Sequence, residues 1–188
     1  MSKIDKELER QRKIDETREK LEDLVAKHEE NAKKFLALAI EAKLDNRVND
    51  YNQTLRYYDY ALKRKAKAKS MLHQFKLIEL IRDDAAASKA FADSIVMISK
   101  ETSKLFKDSS MRKAMKELYK VKDTDEKSNM LMDAFMDTVP DFMGDIDSMP
   151  AEQGIDKETV AQVDAEVARV KSSIETTSDD RLKELLGK

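Results

Sequence analysis

The amino-acid sequence predicts an all-α protein, and three observations predict it. Residues 1–139 contain neither glycine nor proline, the first of each being Gly144 and Pro140. Hairpins of strands and tight turns draw on those two residues for special backbone angles, whereas helix interiors exclude them. Apolar side chains recur at steps of three and four over most of the chain, the period of an amphipathic helix. Finally, 39% of residues are charged and 6% are aromatic, too little apolar bulk for a thick core but enough for long, thin helices with one buried stripe. The expected architecture is a long antiparallel helical hairpin followed by short helices, an acidic flexible linker and small C-terminal helices.

Each element has its own warrant. Leu21, Leu24, His28, Asn31, Phe35, Leu38 and Ala42 form one seam of a first helix over 3–43. "LDNRVND" interrupts the pattern with Asp45, Asn46 and Asn49, whose side chains compete with helical backbone for hydrogen bonds, so the chain is expected to reverse there. Val48, Tyr51, Leu55, Tyr58 and Leu62 resume the spacing in a second helix expected to reach about residue 107. "MRKAMKELYK" reads as a short helix after the break at Asp108 to Ser110. "DTDEKSNMLMDAFMDTV" reads as another that opens on capping acids and ends before Pro140. "PDFMGDIDSMPAEQG" holds both prolines and two of the three glycines and is the expected linker. Val160, Val163, Val167, Val170 and Ile174 then line one face of a small helix with Asp156 as its cap. Leu182, Leu185 and Leu186 close the chain in a short piece that needs a partner to stay helical. The reading divides the chain into a core with one short helix over 1–122, a Met-rich acidic helix over 123–139, the linker over 140–155, the valine helix over 156–174 and the terminal segment over 175–188.

Charge is segregated along the chain. Residues 1–122 have a balance of +8 and residues 123–188 one of −10, within a formal net charge of −2. A basic body joined to an acidic tail gives each half an intramolecular partner, and the valine stripe supplies an apolar face for the same contact. That face is expected to hold a closed, autoinhibited form.

Several chemistries are excluded. The chain has no cysteine, which removes disulfides, thiolate metal sites and cysteine nucleophiles together. Two histidines, His28 and His73, and the absence of HExxH, GxSxG and GxxxxGK[ST] patterns leave no catalytic residue, metal site or cofactor to propose. No early apolar run approaches the ~18 to 20 residues that span a bilayer, so a cytoplasmic chain is expected. The strongest local charge feature is "ALKRKAKAKSML", where Lys63, Arg64, Lys65, Lys67 and Lys69, with Arg56 two turns earlier, spread over a broad helix face. Such a face attracts anionic lipid at about 1 kcal/mol per base, or nucleic acid by counterion release. A solvated salt-bridge surface competes with both. Base-stacking platforms normally sit on sheets or in channels, which favours the membrane over nucleic acid. Met130, Met132, Met136, Met143 and Met149 lie on an acidic background, where adaptable side chains suit either a surface that repacks against partners or an irregular core gap.

This ordering resembles the ESCRT-III family of membrane-remodelling filament proteins: a long basic hairpin, short helices, a Met-rich acidic helix "SNMLMDAFMDTVPDFMGDID", a detached small helix and a terminal leucine motif. The end, "ETTSDDRLKELL", is similar to the family's MIT-interacting motif, with Glu175, Arg181, Leu182 and Leu185 in register. Ser178 stands where a leucine is usual and Leu186 where a basic residue is usual. The resemblance implies a subunit, recruited peripherally to anionic membranes, that self-assembles into filaments with other ESCRT-III-like subunits and remodels or severs membrane necks. It also implies an AAA ATPase whose MIT domain grips Glu175, Arg181, Leu182, Leu185 and Leu186 to extract subunits. Three other readings stay open: a bacterial phage-shock or vesicle-inducing type of membrane filament, a coiled-coil protein that binds nucleic acid, and a soluble structural coiled coil.

Overall fold

The computed structural model describes residues 2–83, 124–149 and 154–185. The described residues form four helices, α1 (Lys3–Leu44), α2 (Val48–Asp83), α3 (Thr124–Asp147) and α4 (Lys157–Leu185), and the all-α class holds. The expected continuation of the second helix to 107 and the short helix "MRKAMKELYK" lie outside the described residues. Contacts divide the chain into two units, one of residues Met1–Ala26 and Arg64–Met149, the other of Lys27–Lys63 and Pro150–Lys188.

α1 opens on a reciprocal cap. The Ser2 hydroxyl accepts from the Asp5 N–H at 3.1 Å while the Asp5 carboxylate accepts from the Ser2 N–H at 2.8 Å, which occupies donors that the first turn would otherwise leave open. Ion pairs four residues apart, Glu9 with Lys13, Arg12 with Glu16 and Glu30 with Lys34, run along its outer face and each add a few tenths of a kcal/mol at most. The buried positions of α1 are Ile14, Leu21, Leu24, His28, Ala32, Ala39 and Ala42. The expected seam therefore slips by one residue after His28: Ala32 and Ala39 take the inside and Leu38 is left 47% exposed. Alternating steps of three and four lag a straight helix by about 20° per heptad, and an extra step of four restores the register.

The reversal sits where the polar run predicts it. Asn46 adopts φ 57°, the Arg47 N–H reaches back to the Ala42 carbonyl at 2.8 Å and the Asn46 N–H to the Lys43 carbonyl at 3.2 Å. These paired bonds close the helix end on a residue in the left-handed region, a conformation asparagine tolerates better than most side chains. The Arg47 guanidinium then ties the turn together through Glu41, Asp45 and Asp50, at 2.9 to 3.2 Å. Asn46→Gly should leave stability within a few tenths of a kcal/mol of wild type, whereas Asn46→Val should cost about 1 to 2 kcal/mol. The midpoint of urea unfolding checks both, and equal midpoints for the two variants would contradict the assignment.

In the first unit, α1 and α2 run antiparallel, as partners show: Gln11 meets Arg82, Arg18 meets Glu79 and Glu22 meets Lys76. α3 lies on this pair. Leu131, Met132, Phe135, Val139, Phe142 and Ile146 on α3 share a core with Ile14, Leu21 and Leu24 of α1 and Ala68, Met71, Phe75 and Ile78 of α2. Met132 is fully buried, and Met130, Met136 and Met143 pack around this core, so the methionines fill a gap between three helices. The Arg10 guanidinium pairs with Asp133 on α3 at 3.1 Å.

α3 corrects the expected linker. It does not end before Pro140 but runs through it to Asp147. Pro140 is on the exposed face, opposite the stripe that includes Val139, Phe142 and Ile146. The carbonyl that loses its partner there can be hydrated, and burial of the stripe outweighs the roughly 3 kcal/mol cost of a proline inside a helix. At the far end, the Arg64 guanidinium donates to the Asp147 carbonyl at 2.6 Å, where the helix dipole is negative.

In the second unit, the end of α1 and the start of α2 flank the turn. Phe35 and Tyr57 stack at a tilt with centroids 5.3 Å apart. Ala32, Ala39, Leu55, Tyr58 and Ala61 form a core with Val163 and Val167 of α4. α4 also departs from expectation. The valine helix and the terminal segment are one helix, continuous through "SSIETTSDD". The hydroxyls of Ser173, Thr176 and Thr177 fold back on the carbonyls of Arg169, Ser172 and Ser173 at 2.8 to 3.1 Å, so they do not compete with the helical backbone bonds.

Candidate functional site

The site best defined by geometry is the seat of α4 on the second unit. Its apolar floor is narrow because Ala32, Ala39 and Ala61 are small, which lets a third helix approach closely. Val163 is fully buried and Val167 nearly so, Val160 and Val170 are half-buried, and Ile174 is 54% exposed. Of the expected face over Val160, Val163, Val167, Val170 and Ile174, the first three pack in the seat. Ile174 lies beyond the seat.

Polar contacts fix the register of the valines. The carboxylate of Asp59, buried on α2, accepts the Thr159 hydroxyl at 2.7 Å and the Asp156 backbone N–H at 3.3 Å. An anion is thereby held at the start of α4, where helical N–H groups lack partners and the dipole is positive. Lys63 lies 3.0 Å from Asp59 and 3.8 Å from Asp156, which compensates the buried charge. One turn further along α4, Asp164 pairs with Lys43, and Lys43 lies over the Tyr51 ring at 4.6 Å from its centroid. Burial pushes the Asp59 carboxyl up, but hydrogen bonds from Thr159, Lys63 and the Asp156 N–H outweigh it and hold the group below its ordinary value. Asp164 in turn raises Lys43.

The sign of the pH dependence follows. A carboxyl depressed in the folded state contributes stability that is complete above its unfolded value and is lost as pH falls through the folded one. The seat should therefore loosen on acidification below about pH 4. Asp59→Asn should cost about 1 to 3 kcal/mol at neutral pH and flatten that acid limb. Urea unfolding of both proteins between pH 3 and 7 measures it, and parallel pH profiles would remove Asp59 from the account.

The basic stripe is divided by these contacts. Arg56, Lys67 and Lys69 are exposed, while Lys63, Arg64 and Lys65 are half-buried. Lys63 is drawn to the α4 start and Arg64 to the α3 end, so the six do not form one open face. Of the terminal motif, Glu175 is exposed; Arg181, Leu182 and Leu185 belong to α4; Leu186 lies outside the described residues. Sequence reasoning missed Asp59, Thr159, Lys43, Tyr51 and Asp164. One signal was available: Asp59 is the only acid between Asp50 and Glu79, set among tyrosines next to the basic run.

Among the described residues no group of acids and histidines could hold a metal ion, and no helix is long and apolar enough to cross a membrane. Searched against protein-family models, curated proteins and solved structures, the chain has no significant match.

Proposed function

We propose that the chain is an ESCRT-III-like subunit that polymerises on anionic membranes to remodel or sever membrane necks, and that α4 restrains it until released. The observation that carries this reading is the seat of α4. A helix from the acidic part of the chain is held on α1 and α2 by a short apolar stripe and two charged clusters. α2 supplies the basic surface, with eight Lys and Arg against four Asp and Glu, whereas the charges of α1 balance. In this reading α1 and α2 are the polymerising hairpin, and Arg56, Lys67 and Lys69 make the first contact with lipid. Lys63, Arg64 and Lys65 join them when α3 and α4 leave. Glu175, Arg181, Leu182, Leu185 and Leu186 are the handle for an MIT-domain ATPase, which pulls on the same helix that carries the seat. The protein works in the cytoplasm, without a cofactor and without enzymatic activity of its own.

Co-sedimentation with phosphatidylserine vesicles and with duplex DNA at matched salt tests the partner class. Vesicle binding should exceed DNA binding. Arg56→Glu/Lys67→Glu/Lys69→Glu should weaken vesicle binding by about 100-fold, since each base near an anionic surface contributes about 1 kcal/mol. Preferential pelleting with DNA would replace the membrane reading with the nucleic-acid one.

A further inference from the structure

α4 changes character past its seat. Every residue over 171–178 is exposed, about two helical turns with no buried face. A helix packed on nothing is held by its own backbone bonds, which are marginal over so short a stretch, so these turns open at little cost. An enzyme that needs its substrate extended can reach them without disturbing Val163 or Asp59. Ser172, Ser173, Thr176, Thr177 and Ser178 all lie in this segment. Acids stand three residues after three of them: Glu175 after Ser172, Asp179 after Thr176 and Asp180 after Thr177. Thr176 itself stands three residues after Ser173, and Arg181 three after Ser178.

We infer that this segment is the substrate of an acid-directed serine/threonine kinase, which phosphorylates Ser172, Thr176 and Thr177, then Ser173, and spares Ser178. Such an enzyme reads its substrate by charge, its basic groove taking the carboxylate at the third following position. In each transfer the side-chain oxygen bonds to the γ-phosphorus of ATP as the bond to the bridging oxygen breaks. ADP leaves, and the hydroxyl proton passes to the kinase's base. Ser173 has no anion at its third following position until Thr176 carries a phosphate, a group of charge about −1.5 to −2. Ser178 has a base there and stays free.

The phosphates undo the helix that carries them. The hydroxyls of Ser173, Thr176 and Thr177 donate to the carbonyls of Arg169, Ser172 and Ser173 at 2.8 to 3.1 Å. A phosphorylated oxygen has no proton to donate, and its charge faces the oxygen that took the bond. Over 171–180 a single base, Lys171, stands against Glu175, Asp179 and Asp180, so the added anions meet like charge. Arg169, one turn before Ser173, is already paired with Glu166 at 2.9 Å. The product is a chain unwound over 171–180 with the buried Val163 and Val167 still seated. Phosphorylation thus uncouples the end of the chain from the seat, whether or not the protein meets a membrane.

The test incubates the full chain with ATP and a purified acid-directed serine/threonine kinase, shown active on an acidic control peptide. Phosphates are mapped by mass spectrometry and the backbone is followed by hydrogen exchange. Phosphate should appear on Ser172, Thr176, Thr177 and Ser173, and not on Ser178. Thr176→Ala should lose two phosphates, its own and that of Ser173. Glu175→Lys should lose the phosphate on Ser172 alone, and Asp179→Lys/Asp180→Lys those on Thr176, Thr177 and Ser173. In the phosphorylated wild type, exchange should quicken by at least about 10-fold over 171–180 and stay unchanged over 158–167. No phosphate on the segment, or the same phosphates after the charge reversals, would overturn the site. Phosphate on Ser173 in Thr176→Ala would overturn the order, and unchanged exchange over 171–180 would overturn the unwinding.

Discussion

Val163→Asp should release α4 from its seat while α1 and α2 remain paired. Val163 is fully buried in the second unit's core with Ala39, Leu55 and Tyr58. A carboxylate placed there would lose water and gain no partner, at a cost of about 3 kcal/mol or more. The seat cannot absorb that. Beyond the valines it is held by Asp59 with Thr159 and Asp156, and by Lys43 with Asp164. Half-exposed ion pairs such as the last contribute at most about 1 kcal/mol. Backbone hydrogen exchange should therefore accelerate by at least about 100-fold over residues 157–170. Protection unchanged from wild type would mean that the valines are not what holds α4.

Phe135→Ala should be the most destabilising single truncation on α3. The Phe135 ring is fully buried and lies 5.8 Å from that of Phe75, tilted at 51°, in the core that joins α3 to α1 and α2. Removing it costs the transfer of the ring, the cavity and the aromatic contact, about 3 to 5 kcal/mol together. Phe135→Leu should cost less, because most of the volume is kept. Urea unfolding measures both, and a loss under about 1 kcal/mol for the alanine variant would show that α3 is not packed as described.

The helical class was legible because backbone requirements are written directly into composition: without glycine or proline before residue 140, little but helix remained. The reversal was legible for the same reason, since Asn46 is a residue that accepts the left-handed turn its position requires. What failed was any inference from one residue about a whole helix. Pro140 looked like a terminus, yet it faces outward on a helix whose other face is buried. The valine helix and the terminal segment looked like separate pieces, yet the Ser and Thr hydroxyls where they join bond to carbonyls one turn back and the helix continues. The valine stripe could be read from its period, but its extent could not, because Ile174 continues the pattern and is nevertheless 54% exposed. Asp59 was the least legible. In sequence it is one acid in a basic helix, and its importance arises from Thr159, which lies 100 residues away.

The central claim is that seated α4 restrains a membrane-assembling subunit. The most direct measurement is light scattering, followed by electron microscopy, of wild-type and Val163→Asp full-length protein added to phosphatidylserine vesicles at the same concentration and salt. The account predicts that the variant forms filaments on the vesicles at concentrations where the wild type does not. If Val163→Asp frees α4 by hydrogen exchange and yet scatters no more than wild type, α4 restrains nothing and the account is contradicted.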